Sequence, residues 1–150
     1  AVHGELSALA RKKDWPADKR LREIFFKRMR DSYNMFEENA KILEVAEVLT
    51  RERPTFANEQ LALERVFLTA VLEDGEAAGL FGPGDHAFTA EMMQSATMKF
   101  SLPQLWSRLT LPKLERELEG VLNLIMNGLY ARPSAPAIAR ETRKPETVAT

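Results

Sequence analysis

A chain of 150 residues fits one domain with enough length for a real core. It has no cysteine, which excludes disulfides and thiolate metal sites and suits a reducing cytoplasm. The formal net charge of −1 hides an asymmetry: nine basic residues lie between Arg11 and Arg30, and ten acidic ones between Glu37 and Glu76.

The plain reading of that asymmetry is a solvated basic face followed by a solvated acidic one. The functional reading sets the basic end near a polyanion such as DNA phosphate, where charge alone gives non-specific attraction. No apolar run approaches the roughly 20 residues of a membrane span, and the first residues lack a signal-peptide core.

Taken in order, Gly4 to Lys13 reads as the end of a helix, broken at Trp15-Pro16 because the residue before proline is pushed out of helical geometry. From Asp18 or Ala17 to about Asn39, Leu21, Ile24, Phe25, Met29, Tyr33 and Phe36 recur at steps of three and four. Ala40 to Arg53 sets Ile42, Leu43, Ala46 and Leu49 on one helix face, and Pro54 closes it. The next helix runs from about Ala57 to Glu73. Leu61, Val66, Phe67, Ala70 and Val71 form its expected buried side, widened by Leu63, Leu68 and Leu72. Asp74-Gly75 is expected to end or loosen it, and Gly79, Gly82, Pro83 and Gly84 mark a turn.

Asp85 can cap a helix from His86 to Phe100, with Phe88, Met92, Met93, Ala96 and Phe100 as its apolar members. Pro103 opens a short extension, Gln104 to Leu109. Thr110 and Pro112 then start the most clearly patterned helix, to Tyr130. Its stripe is Leu111, Leu114, Leu118, Val121, Leu122, Ile125 and Leu129, with Leu124 and Met126 on its two sides. A helix apolar over more than one stripe needs a second partner, which points to a dimerisation helix; a central core helix of a monomer is the alternative. After Arg132, three prolines and no aromatic residue predict a flexible tail over 133–150. No segment alternates strictly, so the predicted fold is all-α, a bundle of about six helices.

Catalytic and metal signatures are missing. His3 and His86 are too few and too far apart for a histidine-rich metal site. No Glu-x-x-His pair, G-x-S-x-G elbow or phosphate loop occurs, and the glycines of Gly79 to Gly84 lack the nucleotide-binding order. The reading is therefore not an enzyme, with no cofactor and no metal. What remains is apolar: eight phenylalanines and six methionines, a composition suited to a pocket of irregular form. Phe25, Met29, Tyr33, Phe36, Phe67, Met92 and Met93 are the expected lining, with Tyr33, Gln94 or His86 as polar points. Packed core is the competing reading for each.

Gly75-Glu-Ala-Ala-Gly79-Leu-Phe81 followed by Asp85, then a helix, then a leucine-rich helix ending Met126-Asn-Gly-Leu129, resembles the C-terminal domain of TetR-family transcriptional repressors. Ala96-Thr-Met-Lys-Phe100-Ser-Leu-Pro103 resembles one subgroup of these domains. The resemblance implies that residues 1–14 are the end of a linker helix from an N-terminal helix-turn-helix domain absent here. It assigns ligand binding and dimerisation to residues 15–132. It further implies a homodimer whose last two helices form a four-helix bundle, with Met93, Ala96 and Phe100 joining Leu114, Leu118, Val121, Leu122, Ile125 and Leu129 at the interface. A lipophilic small-molecule effector would relieve DNA binding by the missing domain, in the cytoplasm and without a membrane. The alternative is a helical adaptor that binds another protein and has no small-molecule site.

Overall fold

The computed structural model describes residues 2–39 and 41–132. The tail expected over 133–150 lies outside the described residues. Among the described residues six α-helices follow one another: α1 (Val2–Ala10), α2 (Ala17–Glu38), α3 (Ile42–Glu52), α4 (Phe56–Ala77), α5 (His86–Ala96) and α6 (Leu111–Leu129). Two 3₁₀ turns, Met98–Ser101 and Pro103–Leu105, join α5 to α6. Among the described residues the only β pairing is an isolated antiparallel bridge between Phe81 and Tyr130. The all-α expectation is met, and so is the number of helices.

The core is built on α2, which packs against both α4 and α6. Leu21, Ile24, Phe25 and Met29 of α2, Leu68, Val71 and Leu72 of α4, and Leu114, Leu118, Leu122 and Met126 of α6 are all buried, as is Leu6 of α1. On α6 these residues stand four apart, so a single stripe is consumed inside the chain. At roughly 1.5–3 kcal/mol for each buried side chain, this stripe alone contributes on the order of 10 kcal/mol before ordering costs.

Several expectations need correction. The α5 helix ends at Ala96 rather than Phe100, because the chain tightens into the 3₁₀ turn that carries Phe100 into the core. On α4, Val66 is 71% exposed and Leu63 59%, and Ala70 is exposed too; the buried side includes Glu64 and Gly75 instead. Gly75 does not end α4. It lies within the helix, and the Phe81 ring packs where its side chain would be. The helix stops at Gly79, whose φ of +75° lets the backbone reverse. The amides of Gly79 and Leu80 donate to the carbonyls of Glu76 (2.9 Å) and Gly75 (2.9 Å), the paired pattern of a Schellman ending.

That reversal leads into the bridge with Tyr130. Gly82 N–H donates to Leu129 O at 2.9 Å and Ala131 N–H to Leu80 O at 2.9 Å, clipping the end of α6 to the α4–α5 loop. Asp85 caps α5 as expected, its carboxylate accepting from Phe88 N–H at 3.1 Å. Thr110 stands at the N-cap of α6, but its hydroxyl caps nothing; Pro112 in the first turn sets the helical φ instead.

The basic run of α1 and α2 is not a free surface. Arg20 is buried and donates to Ala10 O (3.0 Å), Trp15 O (3.1 Å) and Asp74 Oδ2 (2.8 Å), and Lys13 also pairs with Asp74. Arg22 pairs with Glu119, Lys27 with Glu5 and Asp31, Arg28 with Glu64, and Arg30 with Glu115. Lys12 and Lys19 lie over the Trp15 ring at 4.1 and 4.2 Å. The acidic half of the sequence supplies Asp74 and Glu64, and α6 supplies Glu115 and Glu119. Most of the basic run is therefore paired within the chain, although only Glu64 and Asp74 of the acidic stretch take part.

Candidate functional site

No residue of α3 is buried. Its apolar face, Ile42, Leu43, Ala46 and Leu49, covers a cavity of about 450 Å³. Arg28, Ser32 and Met35 of α2 form one wall. Phe56, Ala57, Gln60 and Leu61 from the first turns of α4 form another. The floor comes from Met98, Ser101, Leu102, Pro103 and Gln104, the segment of the two 3₁₀ turns. Arg53 and Pro54 stand where α3 turns into α4. The lining is largely apolar with a few polar groups, and the volume falls in the range of small-molecule sites. A larger hollow of about 580 Å³ lies between α2 and α6, but its lining is mostly charged, and Arg22–Glu119 (2.8 Å) and Arg30–Glu115 (3.0 Å) already pair across it. The cavity under α3 is the better site, since it combines enclosure with apolar surface.

Polar groups at the cavity have defined partners. Arg28 Nη1 lies 3.1 Å from Glu64 Oε2, with the two side chains 19% and 8% exposed. Burial pushes the Glu64 carboxyl above the usual range, against the opposing pull of Arg28 and then His3. Ser32 Oγ and Thr50 Oγ1 donate to the carbonyls four residues earlier, Arg28 (2.9 Å) and Ala46 (2.9 Å). Arg53 is more exposed; its guanidinium is 4.8 Å from the Phe56 ring centre and 3.7 Å from Glu59.

None of the seven residues expected to line a pocket lines this cavity. Phe25, Met29 and Met93 are core, and Met92 is 42% exposed. Tyr33 stacks on Trp106 at 5.8 Å and Phe36 meets it edge-on at 5.9 Å. The Trp106 indole thus fills the space that the α2 aromatics would otherwise leave open, with its Nε1–H donated to Lys99 O at 2.9 Å. Phe67 is a half-buried flank of the core. Of the polar points, Gln94 is buried and satisfied by Leu61 O (2.8 Å) and Arg65 Nε (3.1 Å), and His86 Nε2 meets Glu76 Oε2 at 2.7 Å.

The expected dimer residues divide in the same way. Met93, Phe100, Leu114, Leu118 and Leu122 are buried within the chain and present no surface to a second copy. Val121, Ile125 and Leu129 are half-buried, and Ala96 is exposed. The outward apolar surface of these helices is carried by residues outside that set: Phe88 (57% exposed) and Met92 on α5, and Leu124 (77%) between Gly120 and Gly128 on α6. The α3 face of the cavity was readable as a helical stripe. The floor, with no helical period, was not.

The fold is all-helical, with a packed core and, under α3, a hollow of small-molecule size. Among family models, the tetracyclin repressor-like, C-terminal domain matches residues 17–122, and the chain belongs to that family. Such domains are regulatory and in general bear ligand binding and dimerisation for their regulators. No significant match was found among curated proteins or among solved structures. No described helix is long and apolar enough to cross a membrane.

Proposed function

We propose that this domain is the effector-sensing and dimerisation part of a TetR-like transcriptional repressor. In this reading a small lipophilic molecule enters the cavity under α3 and relieves DNA binding by a helix-turn-helix domain joined through α1. The observation that carries the reading is the cavity itself, inside a chain of this family: about 450 Å³, mostly apolar, and roofed by a helix without a buried residue. A weakly anchored roof opens at low cost, and a ligand that favours one roof position shifts the population toward it. The pocket residues of this proposal are Met35, Ile42, Leu43, Leu49, Phe56 and Leu102, with Arg28 as the polar anchor.

The homodimer in this reading forms through α5 and α6, with Phe88, Met92, Ala96, Val121 and Leu124 at the seam. Gly120 and Gly128 flank Leu124 without side chains, so two α6 helices can approach closely. Thermal denaturation in the presence of small lipophilic compounds tests the sensor function. Saturable stabilisation by one chemical class, lost in Leu49→Arg, is the expected result. A uniform lack of stabilisation across apolar, anionic and cationic compounds overturns it.

A further inference from the structure

The charged groups that reach the cavity wall are of one sign. Arg28 and Arg53 line it, and no carboxylate does. Arg53 is exposed and already lies near Glu59 and the Phe56 ring. Arg28 is the interior cation, and its Nη1 lies 3.1 Å from Glu64 Oε2. A guanidinium carries five N–H donors in a planar fork, so one such contact leaves donors for a second acceptor.

Glu64 is a poorly housed ion. Burial acts against its charge, and besides Arg28 the other cationic influence on it comes from His3 of α1. The Nδ1 of His3 is itself buried with no hydrogen-bond partner. Two helices thus meet beside the cavity through two side chains, Arg28 on α2 facing it and Glu64 on α4. A second carboxylate that reaches the guanidinium competes with Glu64 for it, because a bidentate carboxylate makes two charge-assisted bonds.

We propose that the cavity binds an amphipathic monoanion, a carboxylate on an apolar tail, whose head group draws Arg28 away from Glu64. This rests on the reading of the cavity as the effector site and adds the chemistry of the effector. Size fits: at about 30 Å³ per water-sized group, a hollow of about 450 Å³ holds roughly fifteen non-hydrogen atoms. The apolar face of α3 and the Leu102–Pro103 floor receive the tail, and Arg28 receives the head.

Calorimetric titration with decanoate, decan-1-ol and decyltrimethylammonium tests this. Decanoate is expected to bind, decan-1-ol about tenfold more weakly or less, and the cation not at all. Glu64→Gln frees Arg28 from its competitor, so decanoate tightens about tenfold while decan-1-ol is unchanged. Replacing the pair together, Arg28→Met with Glu64→Met, keeps the fold by removing both buried charges and brings decanoate and decan-1-ol to similar affinity. If decan-1-ol binds as tightly as decanoate, or Glu64→Gln weakens decanoate, the anion proposal fails while the cavity remains a ligand site. If none of the three binds, the effector reading of the cavity fails with it.

Discussion

The Phe81 ring occupies the volume that a side chain at Gly75 would need: a Cβ there would overlap the ring's Cδ2 and Cε2. Because Phe81 also forms the bridge to Tyr130 and lies 6.1 Å from its ring, this one approach ties the end of α4 to the end of α6. In an exposed helix interior, glycine to alanine would gain about 1 kcal/mol. Here the overlap outweighs the gain, and Gly75→Ala is expected to lose about 1–3 kcal/mol. Urea denaturation measures it, and an unchanged or raised midpoint would show that the ring yields freely.

Asp74 joins α4 to the turn after α1 through Lys13 and Arg20. The Lys13 bond first, and the Arg20 bond second, hold its carboxyl below the usual carboxylate range. A depressed folded value means that its stabilisation is present above the unfolded value, about 3.9, and is lost as pH falls through the folded one. Asp74→Asn is therefore expected to lower stability at pH 7 and to flatten the acid limb of the stability curve, since the variant has no such carboxylate to protonate. Glu64, raised by burial, acts in the opposite direction and is unaffected by this change. Parallel urea curves for both proteins from neutral pH to about pH 3, with equal losses, would remove the clamp from the account.

On α6, positions two residues apart have opposite roles. Leu122 is fully buried and Leu124 is 77% exposed. If the seam runs through Leu124, then Leu124→Glu yields a folded monomer, seen by sedimentation with an unchanged helical spectrum. Leu118→Ala, in contrast, loses about 2–5 kcal/mol through the cavity it leaves. A Leu124→Glu protein that sediments like the wild type would place the seam elsewhere.

The same pair shows what was legible in the sequence. Helical periodicity found every α-helix, and Trp15-Pro16, Pro54, Asp85 and Pro112 marked boundaries near the observed ones. Period identifies an apolar face but not the neighbour that covers it. Leu114, Leu118 and Leu122 were therefore expected at a subunit interface, although they pack inside their own chain. The cavity was half visible. Its α3 face is a stripe of Ile42, Leu43, Ala46 and Leu49, while its floor over Met98–Gln104 is 3₁₀ and irregular chain with no period to read. The aromatics of α2 were expected to line a pocket because nothing local indicates that Trp106, about 70 residues further on, fills it. Arg28 was one cation in a basic run, and only the fold separates it from those paired at the surface.

Without a buried residue, α3 draws its stability from its own backbone bonds and from the apolar face over the cavity. An isolated helix of 11 residues is marginal in water. Amides of α3 are thus expected to exchange with solvent faster than those of α6, whose stripe of Leu114, Leu118, Leu122 and Met126 is buried. A bound ligand adds apolar contacts beneath α3 that the empty cavity lacks, so it should slow exchange over Ile42–Glu52 more than over Leu111–Leu129. Deuterium uptake resolved by peptide gives both comparisons. Equal protection of α3 and α6 in the free protein would mean that the roof is anchored by something other than the face it turns to the cavity. Ligand protection confined to α6 would move the binding site to the groove between α2 and α6.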